Sequence, residues 1–185
     1  MMTEISLNVL DIANNSIRAG AGLIEITVQI QRDRDALTII ITDDGCGMTP
    51  EQLKSVEDPF FTTRTTRRIG LGVPFFKMAA LSTEGSFKID STPGSGTTIT
   101  AVFGLTHIDR MPLGDMNSTI HTLITLNTHI DFLYTYSFDG NQFTLDTREF
   151  RQVLGDVPLN SPEVSAYIKE YLTENQNEAD GGYHI

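Results

Sequence analysis

In the stretch "ITDDGCGMTPEQL", residues 41–53, a run of β-branched residues ends on two carboxylates, and two glycines then bracket the only cysteine of the chain. Asp43-Asp44 followed by Gly45-Cys46-Gly47 fits a tight surface turn, because aspartate and glycine suit turn backbones. It equally fits the end of a strand that forms the floor of a nucleotide pocket. The flanking sequence has to decide between the two.

Before it, "ALTIIITD", residues 36–43, reads as a buried strand. "LIEITVQIQ", residues 23–31, alternates strictly, with Ile24, Ile26, Val28 and Ile30 on one face and Glu25, Thr27, Gln29 and Gln31 on the other, as a half-buried strand does. "RDRD" joins the two as a turn. Residues 4–19 form a helix by pattern. At ~100° per residue, Asn8, Asp11, Asn14, Asn15 and Arg18 share one arc of about 120°. Val9, Ile12, Ala13, Ser16 and Ile17 lie on the other side, with Leu7 as the exception. The polar stripe is rich in amides, whereas a solvated helix face favours long charged side chains, which are better helix formers than asparagine. Asp11 and Asn15 are four residues apart, so their side chains point together.

After it, residues 49–69 read as a long irregular segment holding Pro50, Pro59 and many threonines. "RIGLGVPFFKMAAL" follows, in which Gly70 and Gly72 lead into Pro74, a first-turn residue, and an apolar helix. "SFKIDS", "TPGSG" and "TTITAVFGL" then read as strand, turn and strand. Gly-x-Gly before a helix frees N–H groups at the positive end of the helix dipole, which suits phosphate and equally suits a plain turn. The stretch is neither a P-loop, for no Gly-Lys-Ser/Thr follows, nor a dinucleotide fingerprint, whose glycines sit directly between a strand and its crossover helix.

These segments, in this order, resemble the ATP-binding domain shared by histidine kinases, type II topoisomerases, MutL-type repair proteins and heat-shock-90 chaperones, the GHKL group. "DIANN" (11–15) is similar to its N box, "DDGCG" (43–47) to its Asp-x-Gly-x-Gly box, and "DPFFTTR" (58–64) to the phenylalanine box of histidine kinases. "GLG" (70–72) is similar to the glycine box that ends the lid, and "GSGTT" (94–98) to the final Gly-x-Gly-Thr. The resemblance covers roughly residues 5–105 and is closest to the histidine kinase-like branch.

It implies an α+β fold: a two-layer α/β sandwich of Bergerat type, with a mixed sheet and helices on one face. It also implies a site for ATP and Mg²⁺. Asp43 would accept the exocyclic N–H of adenine, with Gly45 and Gly47 letting the backbone pass close to the base. Thr97 would bring a hydroxyl to the same edge, directly or through water. Asn15 would hold Mg²⁺, which needs few protein ligands because it keeps several waters. Residues 48–69 would form the lid. Gly70, Leu71 and Gly72 would cradle the phosphates, and Arg64, Arg67 or Arg68 would reach the γ-phosphate. Taken alone, the cluster Arg64, Arg67, Arg68 and Lys77 reads either as an anion-facing patch or as a solvated loop.

Two departures qualify the resemblance. The acid of the N box is usually glutamate, the general base of the hydrolysing members. Here it is Asp11, one methylene shorter, left as a general base, a water-orienting acid or a water-mediated contact to the metal. The second concerns the phosphoacceptor histidine, which histidine kinases carry on a helical hairpin before the ATP domain. This chain opens on the N-box helix, and none of His107, His121, His129 and His184 is followed by Glu or Asp. Phosphotransfer is therefore expected in trans, onto a separate protein, as anti-sigma kinases do. The alternative is a nucleotide sensor that closes its lid and docks without turnover.

Charge and composition set the remaining bounds. The net charge is −11 and uneven: residues 1–105 carry 9 Lys+Arg and 12 Asp+Glu, while residues 106–185 carry 4 and 12. The acidic second part argues against a nucleic-acid partner. No apolar run approaches the ~20 residues of a membrane helix, and no signal peptide is visible, so no membrane partner is expected. A lone cysteine makes neither an internal disulfide nor a cysteine metal site, as suits a reducing cytoplasm.

The expected organisation is an ATP-binding domain at 1–105 and a small α+β appendage at 106–185, packed on it or extending it and offering a surface to a protein partner. Within the appendage, 114–129 reads as a helix and 130–146 as a hairpin turning at Asp139-Gly140 or Gly140-Asn141. Phe132, Tyr134, Tyr136 and Phe138 alternate as a strand core face. Asp146 and Ser161-Pro162 start two further helices, and 175–185 form a polar, mobile tail.

Overall fold

A computed structural model describes residues 3–57 and 72–183. Helix α1 spans Ile5–Arg18 and strand β1 spans Leu23–Gln31. A single 3₁₀ turn, with Asp35 in the left-handed region, leads to β2, Ala36–Asp43. Helices α2 (Pro50–Glu57) and α3 (Gly72–Leu81) precede the hairpin of β3 (Ser86–Thr92) and β4 (Gly96–Gly104). Helix α4 (Met116–Leu126), hairpin β5 (Asp131–Phe138) and β6 (Asn141–Asp146), and helices α5 (Thr147–Leu154) and α6 (Pro162–Asp180) complete the chain.

Among the described residues the strands form one mixed six-stranded sheet in the order β3-β4-β2-β1-β5-β6, in which only β1 and β5 run parallel. The α+β class and mixed sheet expected from sequence are what is found. The hairpin of the second part continues the sheet of the first, through β5 on β1. Register aligns one buried residue from every strand: Ile89, Ile99, Ile41, Ile26, Tyr134 and Leu145 run side by side across the sheet. The opposite face has the row Thr100, Ile40, Thr27, Thr135 and Thr144, rich in hydroxyls and only partly buried at its centre. Period-two alternation thus sorts the strands into a core side and a solvated side.

Helix α1 has no side-chain N-cap; instead the N–H groups of Ile5 and Ser6 donate to the carbonyls of Pro112 and Leu113. Those bonds satisfy two of the orphan donors at the helix start and tie the connection after β4 to the nucleus of the fold. Asn8, assigned by periodicity to the polar stripe, is buried, and its amide donates to the Glu4 carbonyl.

The segment read as irregular from residue 49 begins with a helix. Thr49 and Gln52 form a reciprocal capping box, each backbone N–H donating to the other's side chain, and Pro50 takes the first helical position. The tail also differs from expectation: α6 runs through residues 175–180, and Ala179 and Asp180 are buried at its end because the Tyr136 hydroxyl donates to Asp180.

Other local expectations are met. Phe132, Tyr134, Tyr136 and Phe138 are all buried on the core face. The β5–β6 turn is Asp139-Gly140, both with positive φ, as a two-residue hairpin turn requires. Asp146 caps α5 by accepting from the Arg148 N–H.

Candidate functional site

Asp43 is the last residue of β2, and its side chain faces the helical layer with 8% of its surface exposed. The Ser16 hydroxyl of α1 donates to Asp43 Oδ2 at 2.5 Å, and the Gly45 N–H donates to Oδ1 at 2.9 Å. Each oxygen is thus fixed by one donor and keeps lone pairs for another. Asp44 does a different job: its Oδ1 accepts from the N–H groups of Gly22 and Leu23 and pins the start of β1.

Thr97 is the cross-strand neighbour of Asp43, and Ser91 is the neighbour of Thr97. One row at the strand ends therefore reads Ser91, Thr97, Asp43. Their hydroxyls are linked, with Ser91 Oγ 2.9 Å from Thr97 Oγ1.

The glycines meet protein as well as open space. Gly47 has φ +64°, and a Cβ there would lie 2.0 Å from the Thr92 carbonyl oxygen. At Gly45 a Cβ would touch Ala19 and the Asp43 carboxylate at 3.0 Å. Both glycines let the loop after β2 close against α1 and the β3–β4 hairpin. The Cys46 N–H donates to the Ala19 carbonyl and the Cys46 carbonyl accepts from Gly94, which completes that closure. Cys46 itself is exposed and free.

Asp11 and Asn15 lie half-buried on α1. Asp11 sits at the start of α3: a Cβ on Gly72 would be 1.8 Å from Asp11 Oδ2. The N-terminus of a helix favours a negative group, so the carboxylate is well placed electrostatically. Among the described residues, Asn15 Oδ1 takes only a long contact, 3.4 Å, from the Arg18 guanidinium. Asn15 and Asp11 thus present hard oxygen donors, an amide and a carboxylate, of the kind magnesium prefers. Among the described residues there is no group of three or more His, Cys, Asp and Glu able to hold a metal.

The structure therefore brings Asp43, Gly45, Gly47 and Thr97 together where β2, its following loop and the β3–β4 hairpin meet, and it brings Asp11, midway along α1 and one turn before Asn15, against Gly72 at the start of α3. Arg64, Arg67, Arg68, Gly70 and Leu71, with the phenylalanine box, lie outside the described residues. Sequence reasoning missed Ser16 and Ser91. Ser16 was assigned to the apolar side of α1, and that side faces the sheet, where Asp43 is. Ser91 would have been found by pairing the β3–β4 hairpin from its turn outward.

The family model of the histidine kinase-, DNA gyrase B- and HSP90-like ATPases (HATPase_c) matches residues 3–107. The chain belongs to this family. Curated relatives of this HATPase_c chain include a sensor protein of Shewanella frigidimarina, 33% identical over 107 residues, covering 57% of this chain and 16% of that protein. The sensor protein kinase FleS of Pseudomonas aeruginosa is 35% identical over 97 residues, covering 52% of this chain and 24% of the kinase. The chain thus spans well under half the length of these relatives. The ATPase domain of Aquifex aeolicus MutL, solved with ADP, superposes with a TM-score of 0.51 at 13% identity, covering 83% of this chain and 70% of that one. At that identity the likeness is one of fold, and the fold is the GHKL one. Among the described residues no helix is long and apolar enough to cross a membrane.

Proposed function

We propose that this chain binds ATP with Mg²⁺ at the Asp43 site and acts as a phosphotransfer or ATPase module on a separate cytoplasmic protein. The observation that carries the reading is the fixed carboxylate of Asp43, held by Ser16 and Gly45 with acceptor capacity left over, in a row with Thr97. A carboxylate so oriented suits the exocyclic amine of adenine, and a hydrogen bond to a charged acceptor is worth ~1.5–3 kcal/mol.

The phosphates would lie toward Gly72 and the start of α3, where the positive end of the helix dipole favours anions. Asp11 occupies the same end. Asn15 and Asp11 would hold Mg²⁺ between them and the phosphates, Asp11 through water. When bound, the metal screens the charge of the phosphate chain against the carboxylate and fixes its orientation. Asp11 orients a water or accepts its proton. The arginines at 64, 67 and 68 are proposed to reach the γ-phosphate. Residues 106–185 are proposed to carry the partner surface.

The second reading, a sensor that binds ATP without turnover, draws on Asp11 itself. The carboxylate is a methylene shorter than the usual base and is already packed on Gly72, and a misplacement of ~1 Å costs about 100-fold in rate.

Incubation with γ-labelled ATP, Mg²⁺ and cell lysate separates the two. Label on another polypeptide, or phosphate released faster than in an Asp11→Asn control, supports the first reading. Saturable ATP binding with neither outcome supports the second.

A further inference from the structure

The hydroxyl of Ser91 has three neighbours: the Met48 N–H at 2.9 Å, the Gly96 carbonyl at 3.0 Å and the Thr97 hydroxyl at 2.9 Å. A backbone N–H only donates and a carbonyl only accepts. The single Ser91 proton therefore belongs to the Gly96 carbonyl; turned elsewhere, it would leave two oxygen lone pairs facing each other at 3.0 Å. Toward Thr97, Ser91 has only a lone pair to offer, so the Thr97 proton points at Ser91. What Thr97 keeps for the site is acceptor capacity alone. Among the described residues its hydroxyl has no other hydrogen-bond partner. Its cross-strand neighbour Asp43 is likewise an acceptor, with Ser16 and Gly45 already donating to it.

We infer that Ser91 is a positioning residue that sets the polarity of Thr97, and thereby makes the base-recognising edge accept-only. Resting on the nucleotide reading above, this assigns purine selectivity to a residue behind the site. A 6-amino purine brings two N–H donors to the pair Asp43–Thr97. A 6-oxo purine puts a carbonyl in place of that amine, so its lone pairs meet acceptors, and the N1–H beside it is a single donor to set against the two of the amine. A site built of unpaired acceptors rejects such a ligand more strongly than loss of one contact implies. Ser91 is not itself at the edge; it acts through the proton it receives from Thr97.

The test uses the full chain with ATP and ITP, which carry the 6-amino and 6-oxo groups on the same ribose triphosphate, with Mg²⁺ present. In Ser91→Ala the Thr97 hydroxyl is released and can donate to the 6-oxo group. The ratio of ITP to ATP dissociation constants falls about tenfold, mainly because ITP binds more tightly. In a Thr97→Val background Ser91→Ala changes the ratio no further, whereas Thr97→Ser alone keeps the wild-type ratio. Thr97→Val by itself weakens ATP and leaves ITP unchanged or tighter, and this arm stands even where Ser91→Ala fails to fold.

A Ser91→Ala ratio equal to wild type, with ATP binding retained, would overturn the inference and leave the nucleotide reading intact. So would a Ser91→Ala effect that persists in the Thr97→Val background, or ITP binding that weakens in Thr97→Val. Absence of binding of either nucleotide by the wild-type chain would overturn the nucleotide reading together with it.

Discussion

At Asp43 the chain places a carboxylate where only 8% of the residue meets solvent, and it holds both oxygens with protein donors. Removing one of those donors is the mildest way to test the arrangement. Ser16→Ala is expected to weaken ATP binding about tenfold while costing ~1.5–3 kcal/mol of stability without ligand, because Ser16 donates to a buried charged acceptor. Calorimetric titration and thermal melting measure the two effects separately. Gly47→Ala is expected to act on stability. Its Cβ meets the Thr92 carbonyl at 2.0 Å from a left-handed backbone, so the melting temperature of the free protein should fall sharply, by an amount equivalent to roughly 2–4 kcal/mol. A near wild-type melting curve would show that the loop after β2 relaxes freely. These residues also mark what was legible in sequence. Asp43, Gly47 and Thr97 stand in short local patterns that the family resemblance singles out. Ser16 and Ser91 act across strand and helix packing, 27 and 6 positions from their partners, and no local pattern reports that.

Among the elements, the strands were readable because alternation survives in every one of them, and α2 was missed because 49–69 reads as one irregular segment unless Thr49 and Gln52 are weighed as a capping pair. The pairing of β5 with β1 was not readable at all. A parallel neighbour separated by about a hundred residues leaves no periodicity behind; only the aromatic core face of β5 hinted that it joins a sheet. That junction is tied at its far end by Arg32, which bonds Asp139 from the β1–β2 connection and lies over the rings of Phe138 and Tyr183. The Arg32 backbone N–H and guanidinium hold the Asp139 carboxyl below its usual value of 3.8, and the Arg148 guanidinium does the same for Asp146 at the start of α5. A carboxyl with a depressed folded value contributes stability above its unfolded value, and that contribution fades as pH falls through the folded value. Acidification below about pH 4 should therefore destabilise wild type more steeply than Asp146→Asn, as measured by urea midpoints from pH 7 to pH 2. Parallel curves would show that the Arg148 bond does not carry this slope.

For the whole molecule, the sheet sets the unit of folding. Strand β1 has β2 on one side and β5 on the other, and the core face it shares with Tyr134 and Tyr136 continues under α6 through the buried Ile168 and Leu172. The full chain is expected to unfold in a single calorimetric transition. A fragment ending at residue 107 would expose the β1 edge and its apolar neighbours, and should aggregate or melt well below the full chain. Two separated transitions in the full chain would contradict this coupling.

The central claim is that Asp43 is the base-recognising residue of an ATP site, and one measurement addresses it most directly: the Mg-ATP-induced rise in melting temperature of wild type against Asp43→Asn, with GTP as the comparison. ATP is expected to raise the wild-type midpoint, GTP to raise it much less, and Asp43→Asn to lose the ATP shift while melting near wild type without ligand. A wild-type curve that no nucleotide moves, or an Asp43→Asn variant stabilised by ATP as strongly as wild type, would contradict the account.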